Sequence, residues 1–204
     1  QCPTRNGVRC LTGCVATAAA IVMKYHKWPK SGKGIIDAYD PIVGVPVAQR
    51  NLNHKYDWDL MPDKFIAGQY TNEQANEVSR LMADIGAAFN LWYDTSATSG
   101  TVKVGSLKDN FSYPRQVKTV YRATVVGQSR WIAQMKNEID CNRPILYQSA
   151  DSDACGHAFV LDGYTDEDYF HVNWGWSGRH NCWCLLSDLI PKDTDYNFKM
   201  IQHA

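Results

Sequence analysis

Small and apolar residues run unbroken from Val15 to Met23 inside the stretch TGCVATAAAIVMKYH, Thr12 to His26. Such a run predicts a buried helix opening at Cys14, and WPKSGKG after it supplies a proline and two glycines that close the helix. Lys24 and Lys27 fall on its exposed face. Residues from about Ile35 to Met61 read as short strands and loops ending in the aromatic turn YDWDLMP. TNEQANEVSRLMADIGAAFN then offers Thr71 as a cap, with Val78, Leu81, Met82 and Ile85 spaced along one helical face. SGTVKVGSLKDNFSY, with Val104, Leu107 and Phe111 on one side, and SRWIAQMKNEID predict two further helices. NRPILYQS opens a strand-rich final third, and HAFVLDGYTDEDYFHVNWGW reads as two β segments about a polar TDED turn, a hairpin. Helices first and strands later predict an α+β fold in a single domain, 1–204. Its helix-rich part is about 1–140 and its antiparallel β-rich part about 141–204, with a site expected in the cleft between two such lobes. Trp58, Trp92 and Trp131 are expected in the core or at an interface, and His26, His54 and His171 at the surface or in packing roles.

Composition adds three limits. Of 204 residues, 45% are hydrophobic and 12% aromatic, enough for a packed core. The 21 basic and 21 acidic residues cancel, so charge suggests no general affinity for nucleic acid or an anionic membrane. No apolar run approaches the roughly 20 residues that span a bilayer. The first residues lack the basic start and apolar middle of a signal peptide, which predicts a soluble, already trimmed chain. Seven cysteines is an odd count; disulfide pairing of Cys2, Cys10, Cys141, Cys155, Cys182 and Cys184 would leave Cys14 as the odd thiol.

Cys14 is the residue that calls for chemistry. A thiol in the first turn of a helix faces unpaired amides and the positive end of the macrodipole, which favour thiolate over thiol. Gly13 lets a substrate carbonyl approach both the sulfur and the Cys14 amide. The plainer alternative is a small buried hydrophobe among alanines. A nucleophile also needs a base, and His157, which follows Cys155 and Gly156 at the start of a strand, is the leading candidate. Asn173 on the return strand offers an acceptor for one imidazole nitrogen while the other faces the sulfur. In a regular antiparallel hairpin these two share a face only if the connecting loop has an odd residue count or a bulge shifts the register, so one such device is predicted around Thr165.

The blocks GCVATAAAIVMKYHKWP, ILYQ, GHAFVLDGY and FHVNWGW, together with YDWDLMP and TNEQANEV, occur in an order that resembles the streptopain family of secreted bacterial cysteine proteases across nearly the whole chain. That resemblance implies a papain-like two-lobe fold with the active site in the cleft. It also implies a cysteine endopeptidase in which Cys14 is the nucleophile and His157 the general base and acid. Asn173 would orient the imidazole, Trp174 would shelter that bond from water, and Gln148 would form the oxyanion hole with the Cys14 amide. Val8 stands where papain itself carries its oxyanion glutamine, six residues before the cysteine, so the assignment of Gln148 follows the streptopain pattern. The family needs no metal or organic cofactor and acts on proteins or peptides, with an apolar side chain upstream of the scissile bond. Walls for that side chain are expected from Thr95–Gly100, including Ser96 and Ser99, from Ala150, Cys155 and Gly156, and from Trp176. A pro-segment acting as inhibitor is implied; it is absent ahead of residue 1, which suggests a matured product. A monomer is expected, secreted by a bacterium to the medium, periplasm or cell surface.

Two features depart from the family pattern. Cys155 stands in a stretch that is usually glycine-rich, and RHNCWCLL puts Cys182 and Cys184 two apart on an expected strand, facing one side. They leave two alternatives. One is a structural zinc site drawing on Cys155, His157, His180, Cys182 and Cys184, against which the one-residue gap between Cys182 and Cys184 counts. The other is a catalytically silent binding module that keeps the protease fold.

Overall fold

The computed structural model describes residues 1–66 and 68–204, which fall into two compact units, 1–118 and 119–204. In the first unit, β1 (Thr4–Arg5) pairs antiparallel with β2 (Val8–Arg9) ahead of helix α1 (Cys14–His26). A second short ribbon, β3 (Ile35–Ile36) with β4 (Arg50–Asn51), precedes α2 (Asn72–Ala88) and α3 (Val104–Asp109). α1 buries Val15, Ala16, Ala18, Ala19, Ala20 and Met23 and packs on α2. Four alanines on the buried surface bring the two helix axes close, which is the packing use of the run that predicted this helix. α2 opens at the expected Thr71 cap, and the cap is a full capping box: Gln74 N–H donates to Thr71 Oγ1 at 3.3 Å and Thr71 N–H to Gln74 Oε1 at 2.9 Å.

Leu81 and Ile85 are buried on α2 as expected, and so is a carboxylate between them. Asp84 Oδ1 accepts from Arg50 Nε at 2.5 Å, while its Oδ2 accepts from His54 Nε2 at 2.7 Å and Tyr56 OH at 2.8 Å. Burial first, and then that carboxylate, push the Tyr56 phenol far above the ordinary tyrosine range. Gly86, two residues on, makes room for Tyr93, whose hydroxyl would lie 1.8 Å from a Cβ at that position. Trp58 is buried with its Nε1 donating to Pro29 O at 2.8 Å. Trp92, expected in the core or at an interface, is 43% exposed, because the bridge it forms with Ser99 turns its side chain outward.

The second unit contains helix α4 (Gln128–Asp140) and one five-stranded antiparallel sheet: β5 (Ile145–Ala150), β6 (Gly156–Tyr164), β7 (Tyr169–Asn173), β8 (Cys182–Leu185) and β9 (Met200–His203). The strand order is β8-β7-β6-β5-β9. Sequence order counts α4 among the helices of the first part, yet it packs on β5 and β6. Its Trp131 and Met135 enter the same core as Tyr147, Phe159, Leu161, Phe170, Val172 and Trp174. Trp131 Nε1 donates to Tyr147 OH at 3.1 Å, so this fully buried indole keeps its polar atom satisfied.

Candidate active site

Cys14 is the first residue of α1, and it follows Gly13 at φ 85°, a backbone state that disfavours any residue with a Cβ. A Cβ at Gly13 would also lie 2.8 Å from Thr98 Cγ2. Thr98 is held there by its hydroxyl, which donates to Leu11 O at 2.7 Å, while Leu11 N–H donates to Asp94 O at 3.0 Å. The segment Thr95–Gly100 therefore borders the start of α1, with Ser96 and Ser99 exposed. Thr17 closes the helix start by donating both N–H (3.2 Å) and Oγ1–H (2.9 Å) to Gly13 O. The first turn holds no acidic side chain that would compete with a thiolate for the positive helix end.

In the second unit, His157 sits on β6 directly opposite Ser149 of β5 and is 8% exposed. Its Nε2 donates to the backbone carbonyl of Trp174 at 2.9 Å. Burial lowers its pKa below the ordinary histidine value, and the carbonyl bond opposes that shift in part. The ring lies among four aromatic neighbours: Trp176 at 4.8 Å between centroids, Phe198 at 5.3 Å, Phe159 at 5.9 Å and Trp174 at 6.2 Å.

Asn173 does not take the imidazole. The hairpin contains both parity devices rather than one, and they cancel. Its tip is a three-residue loop, with Thr165 N–H donating to Tyr169 O at 2.8 Å and Asp168 at φ 66°. The register then slips at Asp162, between the pairs Gly163↔His171 and Leu161↔Val172. The bulged Asp162 is tied across the ladder by its Oδ1, 2.5 Å from His171 Nδ1. Asn173 consequently stands opposite Val160, on the face away from His157, and its Oδ1 accepts from Gly175 N–H at 3.1 Å. The carbonyl of the next residue, Trp174, replaces it as acceptor.

Gln148 lies on β5 opposite Ala158, one residue from the Ser149–His157 pair, and is buried. Ala150, opposite Gly156, is buried at the end of the strand, whereas Cys155 and Gly156 are exposed. Trp176, assigned to the pocket wall, packs closer to the imidazole than Trp174 does, so both rings shield it.

Several residues of this half escaped the sequence reading. Asn181 Oδ1 accepts from Trp174 N–H at 3.2 Å and so fixes the peptide whose neighbour carbonyl holds His157. Ser149 donates to Phe198 O at 2.6 Å, which ties Phe198 to the site. Asp151 Oδ1 accepts from Asp153 N–H at 3.0 Å and Cys155 N–H at 2.8 Å, shaping the loop into His157. Only Asp151 left a signal, an aspartate two and four residues ahead of backbone donors in a loop, the pattern of an Asx turn.

Nothing in the structure favours the zinc alternative. Among the described residues no group of three or more His, Cys, Asp or Glu is arranged to hold a metal ion. His157 Nε2 is committed to Trp174 O and His180 Nδ1 to Lys192 O at 2.6 Å. Nor do the six cysteines pair: Cys2, Cys10, Cys141, Cys155, Cys182 and Cys184 are all thiols, and the Cys182 and Cys184 sulfurs, 3.4 Å apart, are beyond bonding distance.

The thiol protease/hemagglutinin PrtT of Porphyromonas gingivalis is 33% identical over 190 residues, covering 91% of this chain and 21% of the relative. Streptopain of Streptococcus pyogenes is 34% identical over 197 residues, covering 91% of this chain and 48% of the relative. The chain thus spans about a fifth to a half of the length of these relatives. The structure of the active wild-type interpain A cysteine protease of Prevotella intermedia matches with a TM-score of 0.88 at 30% identity, over 99% of this chain and 85% of that chain. A prointerpain A fragment from the same organism gives a TM-score of 0.84 at 29% identity, over 99% of this chain and 64% of that chain. This likeness shows the expected α+β, papain-like fold class. The Peptidase C10 family model matches residues 1–184, a stretch that holds Cys14, Gln148, His157, Asn173 and Trp174 alike, and the chain belongs to the Peptidase C10 family.

Proposed function

We propose that the protein is a cysteine-type endopeptidase in which Cys14 is the nucleophile and His157 the base and acid, working as one catalytic domain. The observation that supports this reading is the imidazole of His157, whose Nε2 is fixed on the Trp174 carbonyl so that Nδ1 is the nitrogen left for proton transfer. In the first step the Cys14 thiolate attacks a peptide carbonyl and the imidazolium gives its Nδ1 proton to the leaving amine. In the second, the same nitrogen takes a proton from water, which hydrolyses the thioester. The Cys14 N–H and the Gln148 carboxamide N–H would donate to the developing oxyanion. Trp174 and Trp176 exclude water from the imidazole, and Asn173 and Asn181 hold the turn that presents the Trp174 carbonyl. Ser96, Ser99, Ala150, Cys155 and Gly156 would line the subsite for an apolar side chain upstream of the scissile bond.

The substrates are proteins or peptides, and the relatives' pro-form suggests an inhibitory pro-segment for this protein as well. We place it outside the bacterial cytoplasm and read it as a monomer; no helix among the described residues is long and apolar enough to cross a membrane. The test compares wild type and Cys14→Ala on a denatured protein substrate under reducing conditions. Cleavage is expected from the wild type alone, and proteolysis retained by the variant would end this reading.

A further inference from the structure

The thiol pair on β8 has no part in the peptidase chemistry. Cys182 pairs with Val172 and Cys184 with Phe170 across the β7–β8 ladder, so the two side chains emerge on one face, two residues apart. Their sulfurs are 3.4 Å from each other and 3.4 and 3.3 Å from the carbonyl oxygen of Ile190. Cys184 is buried, Cys182 half-exposed. β8 is an edge strand of the sheet, with β7 as its one strand neighbour among the described residues, and so has freedom to pucker that an inner strand lacks. Asn181, the residue immediately before it, holds the Trp174 N–H.

We propose that Cys182 and Cys184 are a redox modification site that a low-molecular-weight disulfide oxidises to an intrastrand disulfide, with the strain of closure passed through Asn181 and Trp174 to His157. Cys182 is the sulfur that the reagent reaches. Its thiolate attacks one sulfur of the reagent, forms a mixed disulfide and expels the first reagent thiolate, which takes up the proton that Cys182 gave to solvent. Cys184, whose thiol burial pushes up to about 12, keeps its proton until then. It loses that proton as it attacks Cys182 Sγ, and the second reagent thiol leaves. Two electrons pass from the cysteine pair to the reagent, one S–S bond breaks and one forms. Closure draws together two side chains that an extended strand holds apart, so the bond is strained and readily reduced.

The experiment uses the full chain carrying Cys14→Ala and oxidised glutathione as the probe, followed by trypsin and mass spectrometry. The readout is covalent, so it stands or falls separately from the hydrolase reading. Fragment 180–192 is expected to lose two hydrogen atoms and carry no glutathione. With Cys184→Ser added, the same fragment is expected to carry one glutathione on Cys182, since the resolving thiol is gone. Dithiothreitol should reverse both. The His157 ring resonances are expected to shift on closure and return on reduction. A fragment that keeps two alkylatable thiols, or that carries glutathione while both cysteines are present, overturns the site. A His157 spectrum indifferent to a demonstrated closure overturns the coupling.

Discussion

An imidazole buried as His157 is prefers to be neutral, and a thiolate beside it would reverse that preference. Burial alone lowers its pKa from the ordinary 6.5, so without a partner the neutral ring is the stable native form. That contribution to stability is present above the unfolded value and is lost as pH falls through the lowered folded value. In Cys14→Ala, His157 should therefore titrate below 6.5, and unfolding should become easier as the solution is acidified through that midpoint. In wild type an ion pair with Cys14 would move the midpoint the other way. Ring proton resonances followed against pH in both proteins test this, and equal midpoints would mean that no ion pair forms. Gln148 makes a separate demand. If its carboxamide meets the oxyanion only in the transition state, Gln148→Ala should lower kcat by about 10²–10³-fold, or roughly 3–4 kcal/mol, with KM little changed. A rise in KM alone would make it a substrate-binding residue instead.

Elements whose signals are local were legible in the sequence. The alanine run marked α1, the Thr71 cap marked the start of α2, and the polar TDED tip marked the hairpin. The bulge at Asp162 was not, because a polar residue after Leu161 keeps the alternation of an unbroken strand. One register device was expected, to bring Asn173 to the face of His157; two together return it to the far face. Gly13 lies at the boundary between the two cases. Its sequence context suggested a close approach, and the structure adds the φ of 85° and the Thr98 methyl group 2.8 Å from an added Cβ. Gly13→Ala should cost about 1–3 kcal/mol through the left-handed strain and push the Cys14 end of α1 away from the Thr98 loop. Thermal unfolding and the iodoacetamide labelling rate of Cys14 should both change. Unaltered values would show that the loop yields without disturbing the helix.

At the scale of the whole chain, balanced charge and ample apolar content foretold a folded protein, but not where its buried charge would lie. Periodicity puts position 84 on the inner face of α2 between Leu81 and Ile85, where a carboxylate looks like an error. Its three partners, Arg50, His54 and Tyr56, come from a segment about thirty residues earlier, beyond any local window. This network joins the short ribbon to α2 and so to the helix that begins with Cys14. Removing one member of such a group strands the rest: Asp84→Ala leaves a guanidinium, an imidazole and a phenol short of their acceptor. The expected cost is about 3–5 kcal/mol, a large share of the roughly 5–15 kcal/mol that a domain has in total. It should appear as a lowered urea midpoint with an unchanged slope. Asp84→Asn keeps one acceptor oxygen and should lose less. An Asp84→Ala midpoint equal to that of wild type would mean that taking the carboxylate out of water costs as much as its three hydrogen bonds return, leaving the network to specify geometry without adding stability.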